Sequence, residues 1–141
     1  MLIILDSNEF IFALGAQEPN ARMLLDILFA KTSSHSLRIP RTVFEEVKCN
    51  LSAEAFKELI LLLLSAMIPI DEDALVPFEL GIKYESAGFK YADAFIAAYA
   101  EYVGADILVS ENRHFLTRHT HLPFKICNAE QCLKLIKPSR R

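Results

Sequence analysis

Residues 2–5 read Leu-Ile-Ile-Leu and run directly into an acid, Asp6. An apolar run without polar alternation has no side suited to water. It belongs in a strand covered on both faces, the usual situation in a parallel sheet between helices. Ile107-Leu108-Val109, inside "ADILVS", repeats the pattern. Further extended stretches are expected at "LRIP" (37–40), "IPI" (68–70) and "PFKIC" (123–127). Helical patterns lie between them, first over 7–15, ending near Gly15, and then from Pro19 through "ARMLLDILFAK". "RTVFEEVKCNL" offers Thr42 as a cap with Glu45 three residues on. "SAEAFKELILLLLSAM" follows, then a helix in pieces over 71–88, broken by Pro77 and closed by Gly88. "YADAFIAAYAEYVG" is the clearest helix and ends at Gly104, while "NAEQCLKLIK" is capped by Asn128. Strand–helix alternation predicts an α/β chain, a three-layer α/β/α sandwich around a mainly parallel sheet of four to five strands.

The 141 residues suit a single domain over 1–137 followed by a short basic tail, 138–141. A hydrophobic content of 52% against 23% charged residues suits a packed core, and the net charge of -3 argues against a broad basic surface for duplex nucleic acid. The three cysteines, Cys49, Cys127 and Cys132, form no C-x-x-C pair and read as buried thiols in a reducing compartment. No basic stretch precedes the first apolar run, so a signal peptide is not expected, and the expected location is the cytoplasm. The apolar run Leu59–Ile70 is too short to span a membrane, which takes about 20 residues, and contains Pro69. No glycine-rich phosphate cradle follows the first strand and no G-x-S-x-G is present, so neither a nucleotide cofactor nor a serine hydrolase is expected.

In an open parallel sheet, functional groups collect beyond the carboxyl ends of the strands. Asp6 follows the first strand, and Ser110, Glu111 and Asn112 follow the strand at 107–109. Glu45 and Glu46 lie in the first turns of the helix after "LRIP", and Asp93 lies at the start of the helix before "ADILVS". Four separated segments can thus meet at one edge. Carboxylates gathered there would repel one another and favour either a raised pKa or a hard cation. Each acid also has a simpler explanation. Asp6-Ser7-Asn8 can cap a helix, Asp93 can answer a helix dipole, and Glu45 or Glu46 can complete a capping box or face water. Ala92, Ala94, Ala97, Ala98 and Ala100 make the Asp93 helix slender enough to approach the sheet closely.

Taken together, "IILDSNEFI", "IPRTVFEEV" and "YADAFIAAYAEYVGADILVSENRHF" resemble the PIN domain, the nuclease family that includes the VapC-type toxins of toxin–antitoxin pairs. The resemblance implies a metal-dependent endoribonuclease in which Asp6, Glu46 and Asp93 hold Mg2+ or Mn2+, with Asn8 and Ser110 in support. In the family the glutamate directly precedes an aliphatic residue, which selects Glu46 over Glu45. Many members carry an Asp where this chain has Asn112, and others an Asp where it has His114. Glu111 and Asn112 are therefore the candidates for a fourth ligand. The implied partners are an RNA substrate, an antitoxin protein and a second copy of the chain, with Phe10, Phe12 and Leu59–Met67 as candidate contact surfaces. The alternative is a catalytically weakened PIN-like module that binds RNA or a protein. A phosphatase using Asp6 as nucleophile would want a second Asp where Asn8 stands.

Other polar groups carry weaker signals. His114, His119 and His121 lack the spacing of a zinc motif and read, with Arg113 and Arg118, as a polar loop that could touch RNA phosphate. Arg38, Arg41 and Lys48 flank the Glu46 segment and could guide a phosphate backbone. Lys137, Arg140 and Arg141 could add nonspecific affinity.

Overall fold

The computed structural model describes residues 1–117 and 121–136. Ile3, Ile4 and Leu5 are buried, as are Ile107, Leu108 and Val109. Both strands are thus covered on both faces, as their unbroken apolar character requires. β1 (Leu2–Leu5) pairs parallel with β2 (Ser36–Leu37) on one side and β5 (Ile107–Val109) on the other. β6 (Lys125–Cys127) extends the sheet beyond β5, giving a four-stranded parallel order β2-β1-β5-β6.

Helices flank this sheet in two groups. α1 (Ser7–Leu14) packs on α2 (Pro19–Leu28), and α2 on α8 (Ala129–Ile136). α5 (Phe78–Ser86) packs on α6 (Tyr91–Val103), which lies against β5. Ala94, Ala97, Ala98 and Ala100 are buried, so the slender face of α6 is the one turned inward. Gly104 ends α6 in the left-handed region at φ 73°, where its N–H reaches back to the Ala100 and Glu101 carbonyls. A side chain there would be strained. Asn128 and Gln131 cap α8 reciprocally, each side chain accepting from the other's backbone N–H at 2.8 and 2.9 Å.

Two expectations change. "LRIP" is not one strand. β2 stops at Leu37, and β3 (Ile39–Pro40) pairs with β4 (Ile70–Asp71) in a separate parallel ribbon. Between the two strands, Arg38 turns to the Asp71 carboxylate at 2.8 Å, and Pro40 has no N–H to continue a ladder. Tyr99 Oη donates to the same Asp71 oxygen at 2.6 Å, tying the ribbon to α6. Nor does Thr42 cap the next helix. α3 (Arg41–Asn50) begins one residue earlier, and the Thr42 hydroxyl and N–H both donate to Asp73, in a 3₁₀ turn at Asp73–Leu75. A distant carboxylate thus satisfies an orphan N–H of the first turn. Ser52 does cap α4 (Ala53–Ala66).

Among the candidate contact residues, Phe10, Leu59 and Leu63 belong to the core and Phe12 packs against it. Leu61, Leu64 and Met67 face outward. Cys127 and Cys132 are buried as expected, but Cys49 is exposed, because α3 turns Val43 and Val47 inward and Cys49 away from them. α7 (Arg113–Thr117) replaces the loop expected after β5. Arg118, His119 and the basic tail at Lys137, Arg140 and Arg141 lie outside the described residues, as does any zinc reading that needs His119. No helix among the described residues is long and apolar enough to cross a membrane.

Candidate active site

Leu5 and Val109 are partners in the β1–β5 register, so the next residue of each strand emerges at the same sheet edge. Asp6 N–H donates to the Val109 carbonyl at 2.9 Å, and Ser110 Oγ donates to Asp6 Oδ2 at 3.0 Å. Asp6 Oδ1 accepts the Ser7 N–H at 2.8 Å, capping α1. The carboxylate therefore does both things its position allowed. One oxygen starts a helix and the other is held by the end of β5.

A cavity of about 350 Å³ opens at this edge, with Asp6, Asn8, Glu46, Asp93, Glu111 and Asn112 among the residues lining it. Three separated acids, Asp6, Glu46 and Asp93, thus share one space. Burial raises the Asp6 carboxyl above its ordinary range, the Ser110 and Ser7 bonds oppose this, and the charges of Asp93 and Glu46 add to it. Among the described residues no three carboxylate, imidazole or thiol groups form a ready-made cation cluster. The acids stand on different walls. An all-oxygen donor set in which the charges of Asp93 and Glu46 bear on Asp6 nevertheless fits a hard divalent ion.

The candidate fourth ligands are engaged elsewhere. Asn112 Nδ2 donates to Asp93 Oδ2 at 3.3 Å, while its Oδ1 accepts the His114 N–H at 3.0 Å. Its oxygen, the only atom that could face a cation, is turned into the start of α7. Glu111 Oε1 accepts the Ala129 N–H at 3.0 Å, in the first turn of α8. Asn112→Asp would put a second carboxylate beside Asp93. It should tighten Mn2+ binding at least about tenfold, since one added charge at short range is worth more than 1 kcal/mol. Titration calorimetry measures this directly, and an unchanged Kd would contradict it.

The cations near Glu46 are also occupied. Arg41 pairs with Glu72 at 2.7 Å and approaches Glu45 at 3.8 Å, and Arg38 is held by Asp71. Lys48 Nζ lies 5.9 Å from the centre of the Phe56 ring. Arg113 and His114 sit on α7, where His114 lines a small cavity with Lys90 and Asp93.

One residue of the region went unremarked in the sequence. Glu9, in α1, is completely buried, and neither carboxyl oxygen meets a hydrogen-bond donor among the described residues. Burial foremost, then the charge of neighbouring Glu111, pushes its pKa up to about 9. A protonated Glu9 resolves the orphaning, because its O–H can be donated to the Glu111 carboxylate. The available signal was an acid followed by "FIFAL", on a helix face that must be apolar.

The PIN domain family model matches residues 3–119. The chain belongs to the PIN domain family. No curated protein matches it significantly. Among solved structures it is similar to VapBC2 from Rickettsia felis bound to a DNA fragment from their promoter, with a TM-score of 0.66 and 21% identity over 91% of this chain and 98% of that one. At that identity the likeness speaks for the fold. PIN domains are generally nucleases that use divalent metal ions.

Proposed function

We propose that this PIN domain is a metal-dependent endoribonuclease whose working acids are Asp6, Glu46 and Asp93. One observation carries the reading. Carboxylates from the end of β1, the middle of α3 and the first turn of α6, far apart in sequence, line one cavity beyond the carboxyl edge of the sheet. These residues would hold Mg2+ or Mn2+, which would supply an activated water and offset negative charge on the phosphate. Ser110 fixes the Asp6 carboxylate from the end of β5, and Asn112 fixes Asp93 from the loop that follows. Asn8, on the same wall, is available to a substrate or a metal-bound water.

The test is cleavage of a single-stranded RNA pool with Mn2+, with Mg2+ and with EDTA. Metal-dependent fragments, abolished by EDTA and restored by excess metal, are expected. Intact RNA under every metal condition would overturn the proposal. The engagement of Asn112 and Glu111 favours a second reading, a PIN-like module with weakened catalysis, and the same assay distinguishes it by binding without cleavage. Likeness to a VapBC2 complex supports an antitoxin partner for this chain as well. Leu61, Leu64 and Met67, exposed along and just beyond α4, offer an apolar surface for such a partner or for a homodimer.

A further inference from the structure

Beside the acid cavity lies a groove of different character. It has a volume of about 250 Å³ and is walled by Val76, Phe78, Gly81, Ile82, Tyr91 and Phe95. Phe95 lines both spaces, so they adjoin across one side chain of α6. Tyr91 is 83% exposed and Phe78 78%, the most exposed aromatic rings among the described residues. Rings so exposed contribute little to the core. Tyr91 stands two residues before Asp93. A third, smaller cavity is lined by Asp93 together with Lys90 and His114. Aromatic groove, acids and cationic rim therefore follow one another around the start of α6.

We propose that the groove between Phe78 and Tyr91 is a nucleobase subsite. It takes one unpaired base of a single-stranded RNA by stacking while an adjoining phosphate lies at the acids. Lys90 and His114 meet a neighbouring phosphate on the opposite flank. The proposal rests on the ribonuclease reading and extends it to the substrate class, unpaired RNA. Three observations favour this occupant. The groove adjoins the acid cavity at Phe95, Lys90 lies beside Asp93 in the next cavity along α6, and the net charge of -3 denies the chain a broad phosphate-binding surface. Affinity must then come largely from contacts to bases, which aromatic side chains supply without regard to sequence. Binding should accordingly show a shallow salt dependence, with a log–log slope of about -0.7 to -1.4 for one or two phosphates.

The test is binding of a short oligoribonucleotide carrying the fluorescent base 2-aminopurine, with Mg2+ present to offset the acids and the signal read by stopped flow before cleavage accumulates. Phe78→Leu and Tyr91→Leu each remove a ring while keeping an apolar side chain. Gly81→Leu keeps both rings and fills the groove. A Cβ at Gly81 meets nothing within 4 Å, and leucine suits a helix better than glycine, so this variant should fold. Each of the three should weaken binding by roughly five- to a hundredfold and relieve the fluorescence quenching. Phe78→Trp should retain both. Light scattering on every variant should give an unchanged mass.

Wild-type protein that neither binds nor quenches the probe would overturn the subsite, as would variants that bind like wild type. So would a change of mass in the variants, which would make the groove a contact between copies. The ribonuclease reading fails separately. Wild type that quenches the base but cleaves no RNA with Mn2+ leaves the subsite standing, whereas a cleaving wild type with fully binding variants removes the subsite alone.

Discussion

Asp6→Asn should lower metal-dependent RNA cleavage by roughly a hundred- to ten-thousandfold, the range spanned by single groups that carry transition-state charge or activate a nucleophile. The loss should not come from misfolding. Asn at this position still offers an oxygen to the Ser7 N–H, so α1 keeps its cap, and the Ser110 hydroxyl can turn to accept from the new amide. The substitution also removes a half-buried charge that burial, Asp93 and Glu46 all disfavour. Its thermal midpoint should therefore equal or exceed that of wild type. An inactive protein at least as stable as its parent is the mark of a site held together at the expense of stability. Initial rates on single-stranded RNA with Mn2+, set beside thermal unfolding followed by circular dichroism, decide the matter. A wild-type rate for Asp6→Asn would remove Asp6 from the chemistry and leave it only as the cap of α1.

Asp6 and Asp93 could be located in the sequence because each sits where a regular element begins or ends, whereas Glu46 lies within α3 and was selected over Glu45 only by resemblance to the PIN family. Asp6 and Ser110 are the first residues after unalternated apolar strands, and Asp93 opens an alanine-rich helix whose Gly104 terminus is plain. Strand pairing then did the rest, since the Leu5–Val109 register brings Asp6 and Ser110 together without any further information. What could not be read were choices made between distant side chains. Asp73 takes the first-turn donors of α3, so the local signal of Thr42 and Glu45 misplaced the cap. Arg38 and Arg41 looked like free cations, yet Asp71 and Glu72, more than thirty residues away, claim them. Asn112 looked like an oxygen ligand, yet its amide is oriented as a donor toward Asp93 by the N–H of His114. Local patterns specify elements, while the partners of a polar side chain depend on which elements the fold makes neighbours.

Glu9→Gln should make the protein more stable by an amount that grows with pH. Glu9 has an ordinary pKa of 4.5 and is pushed up to about 9 in the folded chain. Between those two values the folded state keeps a proton that the unfolded chain has released. The free energy of unfolding must therefore fall as pH rises through this window and level off above it. Gln has the shape of the protonated acid, can donate its amide N–H to Glu111, and does not titrate. Below about pH 4.5 the two proteins should differ little. Above it the advantage of the variant should grow by on the order of 1 kcal/mol per pH unit. Between pH 5.5 and 8.5 that amounts to a gap in Tm that widens by roughly 10 °C for a domain of this size. Thermal unfolding of both proteins at pH 5.5, 7 and 8.5 measures it, and a Tm difference independent of pH would show that Glu9 is ionised in the folded state. The growing gap would identify Glu9 as a neutral acid beside Glu111. It would also explain why Glu111, accepting from both Glu9 and Ala129, is engaged at the start of α8 although it lines the same cavity as Asp6, Glu46 and Asp93.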